Sequence, residues 1–521
     1  MRTKNSGKNI IFGISTLIIT ALLGFVLSKV FLSNLGLEYN GLNGVFNNII
    51  NILAITELGI AGAINYNLYK PIAEKDYEKI SSIMVIYKKF YKIIGITIFS
   101  LAVIVAFFVP VFFKERTLLD SYIRVTFILC ALNTVISYFF AYNRNLFYAM
   151  QKNYITTIVD FIFKISKYLL QIAILIIFKN FIIYLAINII FTLLNNLTIH
   201  LMAKKYYKNI NIKNRKADKK IEKTILKSVK NLAIIQLLST LINFTDNLII
   251  SSLISVIYSG LYVNYNQIFT QLTQIVNTIF HGFGASIGNL LAEENKEKIK
   301  KIFINLQYLS FFIGLYCVVC LFFLTQPFIE LWIGKEYLLN ISILLVLITN
   351  FYLMIQRQPI NYYLNTGGYF KKLILPFGLE TIINIITSII LALKFGLIGV
   401  FIGTLISSII SFIISSKSLC KTIELKFLKY WQKEFLFLII ILTNLVMFYL
   451  IFNIYTPENL ILKLAYILVI ITIIISIEII IFIKKDSNIT RLKEIYESIL
   501  NKIFNKIKKI FLSHRKVERN T

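Results

Sequence analysis

Apolar runs of about twenty residues recur fourteen times along the chain, the first at Asn9–Leu32 and the last at Leu464–Ile483. About 20 apolar residues, wound as a helix, cross the roughly 30 Å of hydrocarbon in a bilayer. Backbone N–H and C=O groups in lipid find no water, so each run must satisfy them within its own helix. The class this leaves is an all-α integral membrane protein with about 14 transmembrane helices. Composition agrees: 15% of residues are charged and 57% hydrophobic, where soluble domains carry about 25% charged residues. A soluble enzyme, a disordered protein and a disulfide-stapled secreted module are excluded. Two junctions, Lys179-Asn180 and Phe395-Gly396, leave only two residues to reverse the chain between spans.

The net charge of +30 has two readings, a nucleic-acid footprint or the positive-inside bias of membrane proteins. With the amino terminus inside, the eight cytosolic segments carry about +31, the outer loops about 0 and the spans about −1. The excess is therefore topogenic. Both termini are expected in the cytosol, and no nucleic-acid partner is expected. The basic start followed by an apolar run resembles a signal peptide, but it lacks a small-x-small cleavage site and reads as an uncleaved first span. Residues 203–230 hold eleven Lys/Arg against Asp218 and Glu222 and form a basic cytosolic linker. In the tail, residues 484–521, Leu492, Ile495, Ile499, Ile503, Ile507 and Ile510 recur at helical spacing among lysines. That is the pattern of an amphipathic helix lying on anionic membrane lipids.

The linker divides a twelve-span block in half. Lys8-Asn9 recurs as Lys230-Asn231, Ser15-Thr16-Leu17-Ile18 as Ser239-Thr240-Leu241-Ile242, and Tyr39-x-Gly41-Leu42 as Tyr258-x-Gly260-Leu261, at offsets of 222, 224 and 219. Six spans per half keep both halves in one orientation, a parallel repeat about the membrane normal. The expected organisation is a six-helix lobe at 1–202, the linker, a second six-helix lobe at 231–416 and two additional helices at 417–483.

No phosphate-cradling Gly-x-x-x-x-Gly-Lys-Ser/Thr, Asp-x-Asp, His-Glu-x-x-His or Gly-x-Ser-x-Gly pattern occurs. No outer loop much exceeds about sixteen residues. The chain is expected to move a molecule rather than change its bonds, with no catalytic residue, cofactor or metal. Cys130, Cys317, Cys320 and Cys420 lie in or beside apolar runs and read as small buried hydrophobes, the Cys-x-x-Cys spacing notwithstanding.

Polar side chains inside a span are costly unless they face protein or water. In span 2, Asn40, Asn43, Asn47, Asn51, Glu57 and Asn65 fall within about 120° of helix surface; in span 8, Gln267, Thr270, Gln271, Gln274, Asn277, Thr278 and His281 do the same. The two spans are partners in the repeat, so the stripes read as walls of one hydrated cavity. Interhelical hydrogen-bond glue is the other reading. Span 7 carries Asp246, and span 11 carries Glu380 with Asn384. With Glu57, these carboxylates are the candidates for ion coupling. Span 5 carries Asp160, Lys164, Lys167 and Gln171; spacing makes Asp160–Lys164 an intrahelical pair. Lys29 and Arg124 lie near the outer ends of spans 1 and 4. Cations in an apolar path favour an anionic cargo, and a diphosphate would pair with Lys29, Arg124, Lys164, Lys167 and His281. Asn43, Asn47, Gln271 and Gln274 complete the candidate substrate site.

The opening Arg2-Thr3-Lys4-Asn5-Ser6-Gly7-Lys8-Asn9-Ile10 resembles the polysaccharide-biosynthesis flippases of the multidrug/oligosaccharidyl-lipid/polysaccharide exporter superfamily. So do Leu35-Gly36-Leu37-Glu38-Tyr39-Asn40-Gly41-Leu42-Asn43-Gly44, Glu57-Leu58-Gly59-Ile60 and Asn67-Leu68-Tyr69-Lys70-Pro71-Ile72-Ala73. Thr245-Asp246-Asn247 and Ala285-Ser286-Ile287-Gly288-Asn289-Leu290 extend the likeness into the second half. The resemblance implies a bacterial cytoplasmic (inner) membrane protein whose two lobes form a V around a central cavity. It also implies an undecaprenyl-diphosphate-linked oligosaccharide as cargo, moved to the outer leaflet by alternating access and driven by a proton or sodium gradient. A lipid II flippase and a drug/cation antiporter of the same superfamily are alternatives; so, from another class, is a membrane glycan polymerase.

Overall fold

The computed structural model describes residues 2–54, 68, 71–72, 74–114, 116–150, 152–207, 237–238, 240–242, 245–292, 296–367, 369 and 371–485. Glu57, most of the basic linker and the tail beyond Lys485 lie outside these residues, and the side chain of His281 lies outside the described side chains. Among the described residues the chain is all α-helical. The helices are α1 (Arg2–Leu35), α2 (Leu37–Leu53), α3 (Tyr77–Ala106), α4 (Asp120–Ala149), α5 (Asn153–Phe178) and α6 (Phe181–Tyr206). A shorter apolar helix, α7 (Thr240–Ile254), follows, then α8 (Val256–Ala292), α9 (Lys296–Trp332), α10 (Ile341–Thr366) and α11 (Lys371–Phe395). The last three are α12 (Leu397–Thr422), α13 (Phe427–Ile454) and α14 (Leu460–Lys485).

Ten of these, α3–α6 and α9–α14, hold described stretches long and apolar enough to cross a membrane. The other four, α1, α2, α7 and α8, include the stripe-bearing helices or run up to residues outside the described set. On α14 the most apolar window has a mean hydropathy of 3.0, yet only 22% of it is buried. Ile461, Leu462, Val469, Ile473, Ile477 and Ile481 face outward. Only lipid makes such a surface stable, and the chain is a multi-pass membrane protein.

Both tight turns fold as their sequences suggest. Lys179 takes the left-handed conformation (φ 46°) that ends α5, and the Asn180 side chain accepts from the N–H groups of Ile182 and Ile183 to start α6. Gly396 (φ 63°) makes the equivalent reversal between α11 and α12. Asp76 caps α3 by accepting from the Lys79 N–H at 2.9 Å.

The described chain divides into two compact units. The first comprises 1–272, 332–346 and 373–411. One part of its core gathers Leu27, Phe31, Val45, Phe46, Ile49, Phe127, Leu175 and Phe181 from α1, α2, α4, α5 and α6. Another pairs α3 with α4 through Met84, Tyr87, Tyr91, Tyr138 and Tyr142. In the second unit (273–331, 347–372 and 412–521), α9 and α13 meet through Phe311 and Phe437, stacked 4.1 Å apart. Beside them Gln307 donates to buried Glu434 at 2.7 Å.

Within the first unit, α2 and α8 cross at two glycines. A Cβ on Gly41 would lie 2.3 Å from the Val256 carbonyl oxygen, and a Cβ on Gly260 would lie 2.3 Å from that of Leu37. Both pairs, 37/256 and 41/260, are 219 apart, the offset of the third sequence match. The two matched Tyr-x-Gly-Leu segments therefore meet at this crossing, and only glycine lets the backbones come so close. Asn40 secures it, donating to Gly260 O and Asn264 Oδ1, each at 3.0 Å.

Candidate functional site

Near the middle of α5, Lys164 and Lys167 face Phe191, Thr192 and Asn195 of α6 across a cavity of about 220 Å³, which Asp160 and Phe163 complete. Counting about 1.5 Å per residue from Asn153, the two lysines sit about 17 and 21 Å into a helix about 39 Å long. That is close to the middle of the helix. Lys167 is half-buried and donates to Asn188 Oδ1 at 2.8 Å. Both ammonium groups also lie over the Tyr168 ring, at 5.7 and 5.5 Å, where its face attracts a cation.

Asp160 does not pair with Lys164, as spacing along α5 suggests. Arg144 of α4 takes it instead: Nη1 donates to both carboxylate oxygens at 2.7 Å. Asn195 Nδ2 donates to the same carboxylate at 2.9 Å. The remaining edge of the guanidinium, Nε and Nη2, donates to Asn196 Oδ1 at 3.2 and 3.1 Å. With that edge seated on Asn196, the planar guanidinium is held in place where a flexible ammonium is not. With Asp160 so occupied, Lys164 and Lys167 form no ion pair with a carboxylate among the described residues. Arg144 has no signal in the sequence because it lies just past the apolar run Ser121–Asn143, whereas α4 continues to Ala149. Nothing within α4 breaks it, so the helix carries Arg144 inward to face α5.

A second polar cluster joins α7, α11 and α12. Buried Asp246 accepts from the Thr404 hydroxyl, 2.9 and 3.0 Å from its two oxygens. Asn384 Nδ2 donates to that hydroxyl at 2.9 Å, and Thr245 donates to Asn384 Oδ1 at 3.0 Å. One turn away on α11 and α12, Ser408 donates to buried Glu380 at 3.3 Å. No cation pairs with Asp246 among the described residues. Just beyond it, α7 finishes in a π-helical turn, Ile250–Ile254, a distortion common at functional sites. The α3–α4 connection is tied to this junction, Lys114 N donating to Ser251 O and Val256 N to Lys114 O. Asp246 stands out in the sequence as a carboxylate inside an apolar span; its partners Asn384 and Thr404, on distant helices, have no local signal connecting them.

The remaining candidates are dispersed. Asn43 is half-buried and Asn47 exposed on α2, where Asn47 Nδ2 donates back to Asn43 O at 2.8 Å. Gln271 is half-buried and Gln274 exposed on α8. Lys29 is exposed on α1 and is not among the residues that line the lysine cavity. Arg124 lies near the start of α4, 3.9 Å from Asp120 and over the Phe107 ring. The structure thus brings Lys164 to Lys167, and Asp246 to the neighbourhood of Glu380. It places Lys29 and Arg124 elsewhere.

No family model and no curated protein matches the sequence. Solved structures do match the fold. An inward-facing multidrug resistance MATE family transporter of the MOP superfamily aligns at a TM-score of 0.62 and 17% identity, covering 78% of this chain and 96% of that one. The lipid II flippase MurJ, in an inward closed conformation, aligns at 0.66 and 16%, covering 91% and 99%. A variant of a Vibrio cholerae MATE transporter aligns at 0.58 and 12%, covering 81% and 98%. At these identities the likeness is one of fold.

Proposed function

We propose that the protein is a secondary transporter that flips an undecaprenyl-diphosphate-linked oligosaccharide from the cytosolic to the outer leaflet for surface polysaccharide export. The observation that carries this reading is the α5–α6 cavity, where two ammonium groups lie near the middle of an apolar helix while the nearby carboxylate is held by Arg144. Charges at that depth are expensive until matched, and two cations are matched by the two charges of a diphosphate. Lys29 and Arg124 would meet the headgroup elsewhere along its path. Asn43, Asn47, Gln271 and Gln274 would present a wetted surface to the glycan. Asp246, hydrogen-bonded to a neutral hydroxyl, would take up the coupling ion, proton or sodium, with Asn384 and Thr404 as neighbouring oxygen donors; Glu380 is the next candidate.

A lipid II flippase would use the same headgroup chemistry, and one observation favours keeping it. MurJ covers 91% of this chain against 78% for the inward-facing MATE transporter, a difference about the length of α13 with α14. A drug/cation antiporter is disfavoured by the two lysines. The Lys164→Ala/Lys167→Ala double variant should leave lipid-linked oligosaccharide on the cytosolic leaflet while expression stays normal. Wild-type export by that variant would remove the cavity from the cargo path.

A further inference from the structure

We propose that Arg144 is a positioning residue of this cavity: it occupies both Asp160 oxygens, keeps that carboxylate from closing onto Lys164, and so leaves the two ammonium groups open to the diphosphate headgroup. The inference rests on the reading that a lipid-linked diphosphate enters the α5–α6 cavity. Its own support is geometric. Asp160 lies one helical turn from Lys164, the spacing at which an aspartate and a lysine pair on a helix. That pair does not form. Arg144 approaches from α4 with one nitrogen 2.7 Å from each Asp160 oxygen, while Asn195 donates to the same carboxylate from α6. Asn196 accepts from the other edge of the guanidinium, so three helices fix the fork in one orientation.

Charge arithmetic gives the consequence. Arg144, Asp160, Lys164 and Lys167 together carry +2. Without the guanidinium they carry +1, and Asp160 becomes free to turn toward Lys164. An incoming diphosphate would then compete with a carboxylate already in place. Neutralising Asp160 as well returns the sum to +2 and removes the competitor. A merely structural pair behaves otherwise: losing both ends harms the protein at least as much as losing one, and the preference for the diphosphate over an uncharged lipid does not follow the charge.

The test is binding by the full-length protein in lipid nanodiscs, with farnesyl diphosphate and uncharged farnesol as the probes. Wild type should bind the diphosphate more tightly, and Lys164→Ala/Lys167→Ala should abolish that preference. If either fails, the cargo reading falls and the inference with it. If both hold, the Arg144 arms decide separately. Arg144→Gln should weaken diphosphate binding by about tenfold and leave farnesol binding unchanged, because the freed Asp160 carboxylate then competes with the headgroup for Lys164. Arg144→Gln/Asp160→Asn should recover to within about threefold of wild type. Asp160→Asn alone, which keeps the Asn195 side chain beside it and serves if Arg144→Gln does not fold, should bind the diphosphate at least as tightly as wild type. Wild-type affinity in Arg144→Gln, no recovery in the double variant, or weakened binding in Asp160→Asn would each overturn the proposal.

Discussion

Lys167 and Asp246 are opposite charges inside apolar helices, and each is met by a neutral partner: Asn188 for the lysine, Thr404 for the aspartate. Removing a charge that has no counter-charge strands no ion, so substitutions at these positions should alter function without unfolding the protein. Lys167→Ala should lower export by about tenfold or more at unchanged expression, leaving only the Asn188 oxygen to find water. Lys167→Arg should retain part of the activity, since the charge persists while its geometry changes. Leaflet-resolved quantification of lipid-linked oligosaccharide distinguishes these outcomes, and full export by Lys167→Ala would remove this residue from the cargo path. Asp246→Asn is nearly isosteric and should uncouple transport from the ion gradient; retained gradient dependence would make the α7 cluster structural. The lysines and Asp246 were legible as charges in apolar runs. Their partners were not, because Arg144, Asn188 and Thr404 approach from other helices, and spacing along one helix does not encode them. The same limit made Asp160–Lys164 look like a pair.

Element by element, the Tyr-x-Gly-Leu segments of α2 and α8 are where a sequence match and a packing contact fall on the same residues. The Tyr-x-Gly-Leu match at offset 219 looked weak in a chain so rich in isoleucine and leucine. In the fold its two glycines meet, with each Cβ position 2.3 Å from a carbonyl oxygen of the opposite helix. Gly41→Ala or Gly260→Ala should therefore force α2 and α8 apart, at about 1–3 kcal/mol of overpacking. Thermal unfolding in detergent should shift down by several degrees for either variant. Gly24→Ala is the control, because its Cβ would meet only side-chain atoms at 3.9 Å, and it should melt as wild type. Equal melting of all three would mean that the crossing opens without cost. The π-helical turn after Asp246 had no sequence signal, since neither glycine nor proline marks Ile250–Ile254.

For the whole molecule, hydrophobicity dictated the architecture. Runs of about twenty apolar residues can only be helices in lipid, and two-residue junctions at Lys179-Asn180 and Phe395-Gly396 close them into hairpins. The charge bias adds a direction. A cysteine placed at Asn214, in the basic linker, should be shielded from an impermeant thiol reagent in intact cells, while one at Glu458, between α13 and α14, should react. The reverse pattern would invert the topology. What hydrophobicity could not encode is cargo, which depends on a few charges and their depth. The most direct measurement is flipping by the purified protein in proteoliposomes, using a fluorescent polyprenyl-diphosphate-linked oligosaccharide and an imposed ion gradient. Its transfer between leaflets should exceed that in protein-free vesicles, depend on the gradient and be lost in Lys164→Ala/Lys167→Ala. Transfer no faster than in protein-free vesicles, or equal transfer by the double variant, would contradict a diphosphate flippase working through this cavity.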